Sequence, residues 1–96
     1  MAYKSRLESK NMDLLFDAIL KLENLEDCYR FFEDICTINE LTALSQRWEV
    51  ARLLEEGKTY NEIEKITKAS TATISRVNKS LNYGADGYKN IIEKLK

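Results

Sequence analysis

The stretch Thr59-Tyr60-Asn61-Glu62-Ile63-Glu64-Lys65-Ile66-Thr67-Lys68-Ala69-Ser70-Thr71-Ala72-Thr73-Ile74-Ser75-Arg76-Val77-Asn78-Lys79-Ser80-Leu81 decides the fold. Thr59 and Glu62 have the S/T-x-x-E spacing of a capping box, which opens a short helix with Ile63 and Ile66 facing inward and a stop near Thr67. A turn then passes through Lys68 and Ala69. Ser70 is placed to N-cap a second helix over residues 71–81, whose inward residues Ile74, Val77 and Leu81 fall at i, i+3 and i+7. Two short helices joined by so brief a turn, the second rich in small hydroxyls and bases at its start, form a helix-turn-helix.

Working outward, the flanking sequence is helical on both sides. Upstream, Thr37 and Glu40 make another capping box, and the run after it keeps a helical stripe through Leu44, Trp48, Ala51 and Leu54 until Gly57 ends it. This predicts a scaffold helix over residues 38–56, with Trp48 in its core-facing stripe. Earlier still, Asn11 can cap a helix over residues 12–22, and a stripe of Leu25, Cys28, Tyr29, Phe32 and Ile35, with Phe31 beside it, predicts another over 25–35. Downstream, Gly84 breaks the second helix of the motif, and Asp86 can cap a last helix carrying Tyr88, Ile91, Ile92 and Leu95 on its apolar side. The expected organisation is a single all-α domain over residues 1–96. Dimerisation helices occupy 12–56, the helix-turn-helix 59–81 and a C-terminal helix 87–95.

Composition agrees with that class. Ninety-six residues with no proline, three glycines and 32% charged side chains lack the punctuation of a sandwich or barrel. A hydrophobic content of 44% supports only a modest core, and the broad stripes of residues 12–35 present more apolar surface than one such core covers. An obligate homodimer is the expected solution. The absence of histidine removes the usual general base and the commonest metal ligand, so an enzyme and a metal site are not expected. Cys28 and Cys36 lie eight residues apart along helix and are expected to stay reduced. The first residues are broken by Arg6, Glu8, Lys10, Asp13 and Asp17, and no apolar run suffices to span a bilayer. A cytoplasmic, bacterial protein without membrane contact is expected.

Charge is distributed unevenly. The net charge is −1, yet residues 22–56 carry three basic and nine acidic groups, whereas residues 57–82 carry Lys58, Lys65, Lys68, Arg76 and Lys79 against Glu62 and Glu64. A locally basic segment in an acidic chain can hold a polyanion on one face and repel it elsewhere. Within that segment Ser70, Thr71, Thr73 and Ser75 can bond phosphates or base edges, Ala72 can meet a thymine methyl, and Lys68 and Lys79 can neutralise phosphates. Arg76 has three readings: a DNA contact, a ligand clamp, or an intramolecular anchor for the acidic helices. Tyr60 and Tyr83 flank the motif and can either touch the DNA backbone or pack.

The stretch Ala69-Ser70-Thr71-Ala72-Thr73-Ile74-Ser75-Arg76, with Leu41-Thr42-Ala43-Leu44-Ser45-Gln46-Arg47-Trp48-Glu49-Val50-Ala51 before it and Ser80-Leu81-Asn82-Tyr83-Gly84 after it, resembles the YerC/YecD group of Trp-repressor-related proteins. The resemblance covers most of residues 25–84. It implies an intertwined helical homodimer, the N-terminal helices of both chains forming one core from which two helix-turn-helix heads project. It also implies a transcriptional regulator, of repressor type, on a palindromic operator in double-stranded DNA. In the Trp repressor proper two arginines sandwich the indole of the co-repressor. The resemblance places them at Arg47 and Arg76, with Thr37 and Ser80 lining the pocket once one gap is allowed between the arginines. Val77 stands where the Trp repressor proper has glycine after the second arginine. Its β-branched side chain occupies space the indole needs, so tryptophan binding is expected to be lost, while another small co-regulator is left open.

Two departures bear on the motif itself. Glu64 sits where such motifs carry alanine against the partner helix, so it is expected either to tilt outward or to pair with Lys65 or Lys68. Lys68 sits at the usual turn glycine, where a positive φ costs a non-glycine residue on the order of 1 kcal/mol. These departures and the net acidity sustain a second functional reading, a helical protein-protein interaction module that keeps the fold without binding an operator.

Overall fold

The computed structural model describes residues 2–96, which form six α-helices and no strand: α1 (Lys10–Ile19), α2 (Leu25–Ile35), α3 (Ile38–Glu55), α4 (Tyr60–Thr67), α5 (Thr71–Tyr83) and α6 (Gly87–Leu95). The chain divides into two compact units, the first ending at Cys36 and the second being Thr37–Lys96. The boundary falls between the C-cap of α2 and the N-cap of α3, so it coincides with a break in helical hydrogen bonding.

In the first unit, α2 begins behind Asn24, whose side-chain oxygen accepts from the Asp27 N–H at 2.8 Å. α1 starts earlier than the Asn11 cap predicts. Ser9 has the extended backbone a cap requires, and its hydroxyl accepts from the Met12 N–H at 3.0 Å, which leaves Asn11 inside the first turn. The helix also ends at Ile19 rather than residue 22. Neither α1 nor α2 buries a residue, and Leu14, Phe16, Leu20, Leu25 and Tyr29 are all exposed. Phe31 and Phe32 are half-buried and meet edge to face with ring centroids 5.5 Å apart. Cys28 and Cys36 are free thiols.

The second unit carries the core. Val50 and Ala51 of α3, Ile63 of α4, Ala69 of the turn, and Ile74 and Val77 of α5 form one buried cluster, with Leu53, Leu54, Tyr60 and Tyr88 packed against it. α3 packs on α4, α5 and α6, α4 packs on α5, and α5 on α6. Trp48 is half-buried and stacks on Tyr88 of α6, centroids 6.2 Å apart, so it sits at the margin of the core.

Helix ends in this unit follow local chemistry. Thr37 accepts from the Glu40 N–H at 3.1 Å while its own N–H donates to the Glu40 carboxylate at 2.8 Å, a complete capping box. The Thr37 backbone N–H, and to a lesser degree the Thr37 side chain, hold the Glu40 carboxyl below its ordinary pKa by hydrogen bonding to its charged form. α3 ends with Gly57 at φ 87°, its N–H bonded to the Leu54 carbonyl and that of Lys58 to the Leu53 carbonyl, the paired closure that favours glycine. Gly84 is required for a different reason, because a Cβ there would run into the Ser80 carbonyl oxygen. Asp86 stands before α6 but adopts a left-handed backbone and makes no side-chain cap bond, so it does not cap the helix as expected. On α6, Tyr88 and Ile92 are half-buried, whereas Ile91 and Leu95 face outward.

Candidate nucleic-acid interface

α4 opens behind Thr59, whose hydroxyl accepts from the Glu62 N–H at 3.2 Å; only this half of the predicted box forms among the described residues. Ile63 is completely buried, but Ile66 is 52% exposed and does not lock the pair of helices. The inward stripe of α4 instead runs from Ile63 to Thr67, one turn apart, with Tyr60 beside it. Glu64 is exposed and forms no ion pair with Lys65 or Lys68 among the described residues, which selects the outward tilt.

The turn between α4 and α5 is Lys68-Ala69-Ser70. Lys68 adopts φ 63° and ψ 12°, and its N–H donates to the Glu64 carbonyl at 2.9 Å, so a lysine occupies the left-handed position that glycine favours. The Lys68 side chain is exposed, while Ala69 turns inward and is buried. Ser70 then caps α5, accepting from the Thr73 N–H at 3.1 Å. Its hydroxyl donates in turn to the Thr73 hydroxyl oxygen at 3.1 Å. Ser70 is thus engaged in the cap, and the Thr73 hydroxyl keeps its own proton for another acceptor.

α5 divides cleanly into two faces. Ile74, Val77 and Leu81 are buried, whereas Thr71, Ala72, Ser75, Arg76 and Lys79 are exposed and Thr73 is half-buried. Together with Lys68 and Ser70, every sequence-predicted DNA-contacting residue therefore lies on the turn or on this helix. The Arg76 side chain is exposed and forms no ion pair among the described residues. Tyr60 packs against the core, and Tyr83 projects into solvent at the end of α5.

The suggested ligand residues are placed differently. Thr37 and Arg47 belong to α3 and its cap, Arg76 and Ser80 to α5. Thr37 is engaged in the capping box, Arg47 is half-buried, and Arg76 and Ser80 are exposed. Among the surface depressions of this unit, two are formed by other residues. One, between α3 and α6, is lined by Arg52, Glu55, Glu56, Ile92, Leu95 and Lys96, and the other by Asn61, Glu64, Lys65 and Lys68. Neither contains any of the four suggested ligand residues.

The second depression adds Asn61 and Lys65 to the basic surface beside the turn. Their exposure on α4 was within reach of the helical period once Ile63 was set inward. Sequence reasoning also missed Gln46, whose side-chain amide donates to the Thr67 carbonyl at 3.1 Å across 21 residues of chain. No local pattern signals such a bond.

An all-α unit that presents one polar, basic helix from a small apolar core, directly after a three-residue turn, has the build of a Trp-repressor-type protein. The family model described as "Trp repressor protein" matches residues 10–96, and the chain belongs to that family of DNA-binding regulators. It is 57% identical over 91 residues to YerC of Bacillus subtilis (strain 168), described as uncharacterized, covering 95% of this chain and 88% of that protein. A solved TrpR-like protein from Eubacterium eligens superposes with a TM-score of 0.91 at 55% identity, covering 96% of this chain and 95% of that one. A second solved structure, from Staphylococcus aureus, gives 0.90 at 52% identity over 94% of this chain and 90% of the other. Among the described residues no helix is long and apolar enough to cross a membrane.

Proposed function

We propose that the protein is a cytoplasmic, homodimeric transcriptional regulator that binds a palindromic operator in double-stranded DNA and acts as a repressor. The observation that carries this reading is the division of α5. Its buried Ile74, Val77 and Leu81 fix the helix on the core, and its outward Thr71, Ala72, Ser75, Arg76 and Lys79 offer donors, a methyl and positive charge to a groove. Exposed Lys65 and Lys68, which share a depression beside the turn, add phosphate-neutralising charge. Two copies are supported by the first unit, whose helices carry apolar stripes and have no fully buried residue.

The operator complex forms without tryptophan in this reading. Val77 is packed into the core, and by the resemblance its branched side chain stands where the Trp repressor proper carries glycine beside the indole. Net acidity and the outward Glu64 favour the second reading, a protein-interaction module.

Selection of a random duplex library by the purified protein separates the two. The regulator reading expects an enriched palindrome whose affinity falls steeply between ~50 and ~200 mM salt and does not respond to added tryptophan. A folded dimer that enriches no duplex would favour the module. With an operator in hand, Lys79→Ala or Thr73→Ala is expected to weaken it by about 1 to 2 kcal/mol without unfolding the protein. Quantitative titration of both variants checks this, and unchanged affinity in both would remove α5 as the reader.

A further inference from the structure

Thr67, the last residue of α4, is the one buried polar residue among the described residues. Its hydroxyl donates to the Ile63 carbonyl at 2.8 Å and accepts from the Ala69 N–H at 3.1 Å. Its own carbonyl accepts from Gln46 Nε2 on α3 at 3.1 Å. Every other side-chain hydrogen bond among the described residues stays within four positions along the chain, so the Gln46 bond is their sole long-range polar tie.

The place of this network matters more than its size. It closes around the left-handed Lys68, where a short turn sets the direction in which α5 leaves α4. The Lys68 N–H goes to Glu64, the Ala69 N–H to the Thr67 hydroxyl, and the Thr67 carbonyl to Gln46, so successive backbone groups of the turn are each held. A fully satisfied buried polar network rigidifies what it surrounds and admits fewer alternative geometries than apolar contact does. Apolar packing through Ile63, Ala69, Ile74 and Val77 holds the helices together, but it is non-directional.

We propose that Gln46 and Thr67 are positioning residues for operator recognition: the Gln46 bond to the Thr67 carbonyl ties the α4–α5 turn to α3, and the Thr67 hydroxyl holds the backbone of the turn itself, so that α5 meets base edges at one fixed angle. This rests on the DNA-binding reading above. Base-edge contacts demand that angle, whereas phosphate contacts through flexible lysines tolerate its loss. Removing the bonds therefore lowers discrimination between the operator and unrelated DNA rather than affinity for DNA at large.

The test compares Thr67→Val, Thr67→Ser and Gln46→Met with the parent protein on the selected operator and on a random-sequence duplex of equal length at one salt concentration. Thr67→Val and Gln46→Met are expected to lose about tenfold in operator affinity, the scale of one hydrogen-bond partner removed from a buried group, with less than about a twofold change on random duplex. Thr67→Ser keeps the hydroxyl and is expected to retain the parent's discrimination. Equal losses on both duplexes, or a Thr67→Ser variant as impaired as Thr67→Val, would overturn the positioning role. If Thr67→Val does not fold, Gln46→Met decides, because it leaves every residue of the turn in place. A parent that enriches no operator overturns the DNA-binding reading and this role with it. A parent and a Gln46→Met variant that read the operator equally well overturn this role alone.

Discussion

α2 and α5 begin alike and end differently. Each is capped by a side-chain oxygen that accepts a backbone N–H three residues on, from Asn24 in one and Ser70 in the other, and each carries an apolar stripe. Yet α2 buries no residue and α5 buries Ile74, Val77 and Leu81. Caps and periodicity are local properties that a helix satisfies by itself, whereas burial needs a partner surface. The second unit supplies that surface from its own α3 and α4, and the first unit leaves Leu20, Leu25 and Tyr29 in solvent. The comparison predicts that the two units respond to different variables: the second to its internal packing, the first to protein concentration.

The largest effect is expected at the buried end of the comparison. Ile74→Ala empties a fully buried position and is expected to destabilise the second unit by about 3 kcal/mol, measured by denaturant unfolding at two protein concentrations. A loss below about 1 kcal/mol would mean that the core is far looser than its burial indicates. At the exposed end, Leu20→Glu or Tyr29→Glu should weaken self-association by about 1.5 to 3 kcal/mol if these side chains are covered by a second copy. Sedimentation equilibrium measures that directly, and a parent that sediments as a monomer at all concentrations would dissolve the comparison.

Much of this architecture was legible beforehand because it rests on local rules. The limits of α2, the complete box at Thr37 and Glu40, the stop of α4 and the inward triad of α5 all follow from residues within one or two turns of each other. Where two residues could do one job, the sequence did not choose: Ser9 caps α1 although Asn11 is equally suited. Ile66 shows the converse, an apolar residue at a helical spacing that tertiary packing leaves outside. Asp86 is a good capping residue whose left-handed backbone directs its side chain away from the role. The reading face of α5 was legible for the same reason as its core face, since one helical period defines both. The Gln46 to Thr67 bond was not, because 21 residues separate its ends and only the packing of α3 on α4 brings them together.

Two smaller effects sharpen the contrast between local and tertiary control. Lys68→Gly removes a side chain from the left-handed turn position and is expected to stabilise the protein by about 0.5 to 1 kcal/mol, read as a raised unfolding midpoint. A fall in the midpoint would show that the Lys68 side chain contributes more than its backbone conformation costs. The smallest effect concerns acid. The Glu40 carboxyl titrates lower when folded than when unfolded, so its stabilising contribution is complete above the ordinary carboxylate pKa. That contribution is lost as pH falls through the lowered folded value. Circular dichroism against pH should show a slightly shallower acid loss of helix in Glu40→Gln than in the parent, and an identical profile would place the cap outside the acid response.

In the proposed regulator a core-mounted α5 reads DNA in a particle made of two chains. Native mass spectrometry of the selected operator duplex, combined with titration at ~50 and ~200 mM salt, tests both halves at once. Two protein chains are expected on each palindromic duplex, with an affinity that falls steeply as salt rises. One chain per duplex, or binding indifferent to both sequence and salt, would contradict that reading.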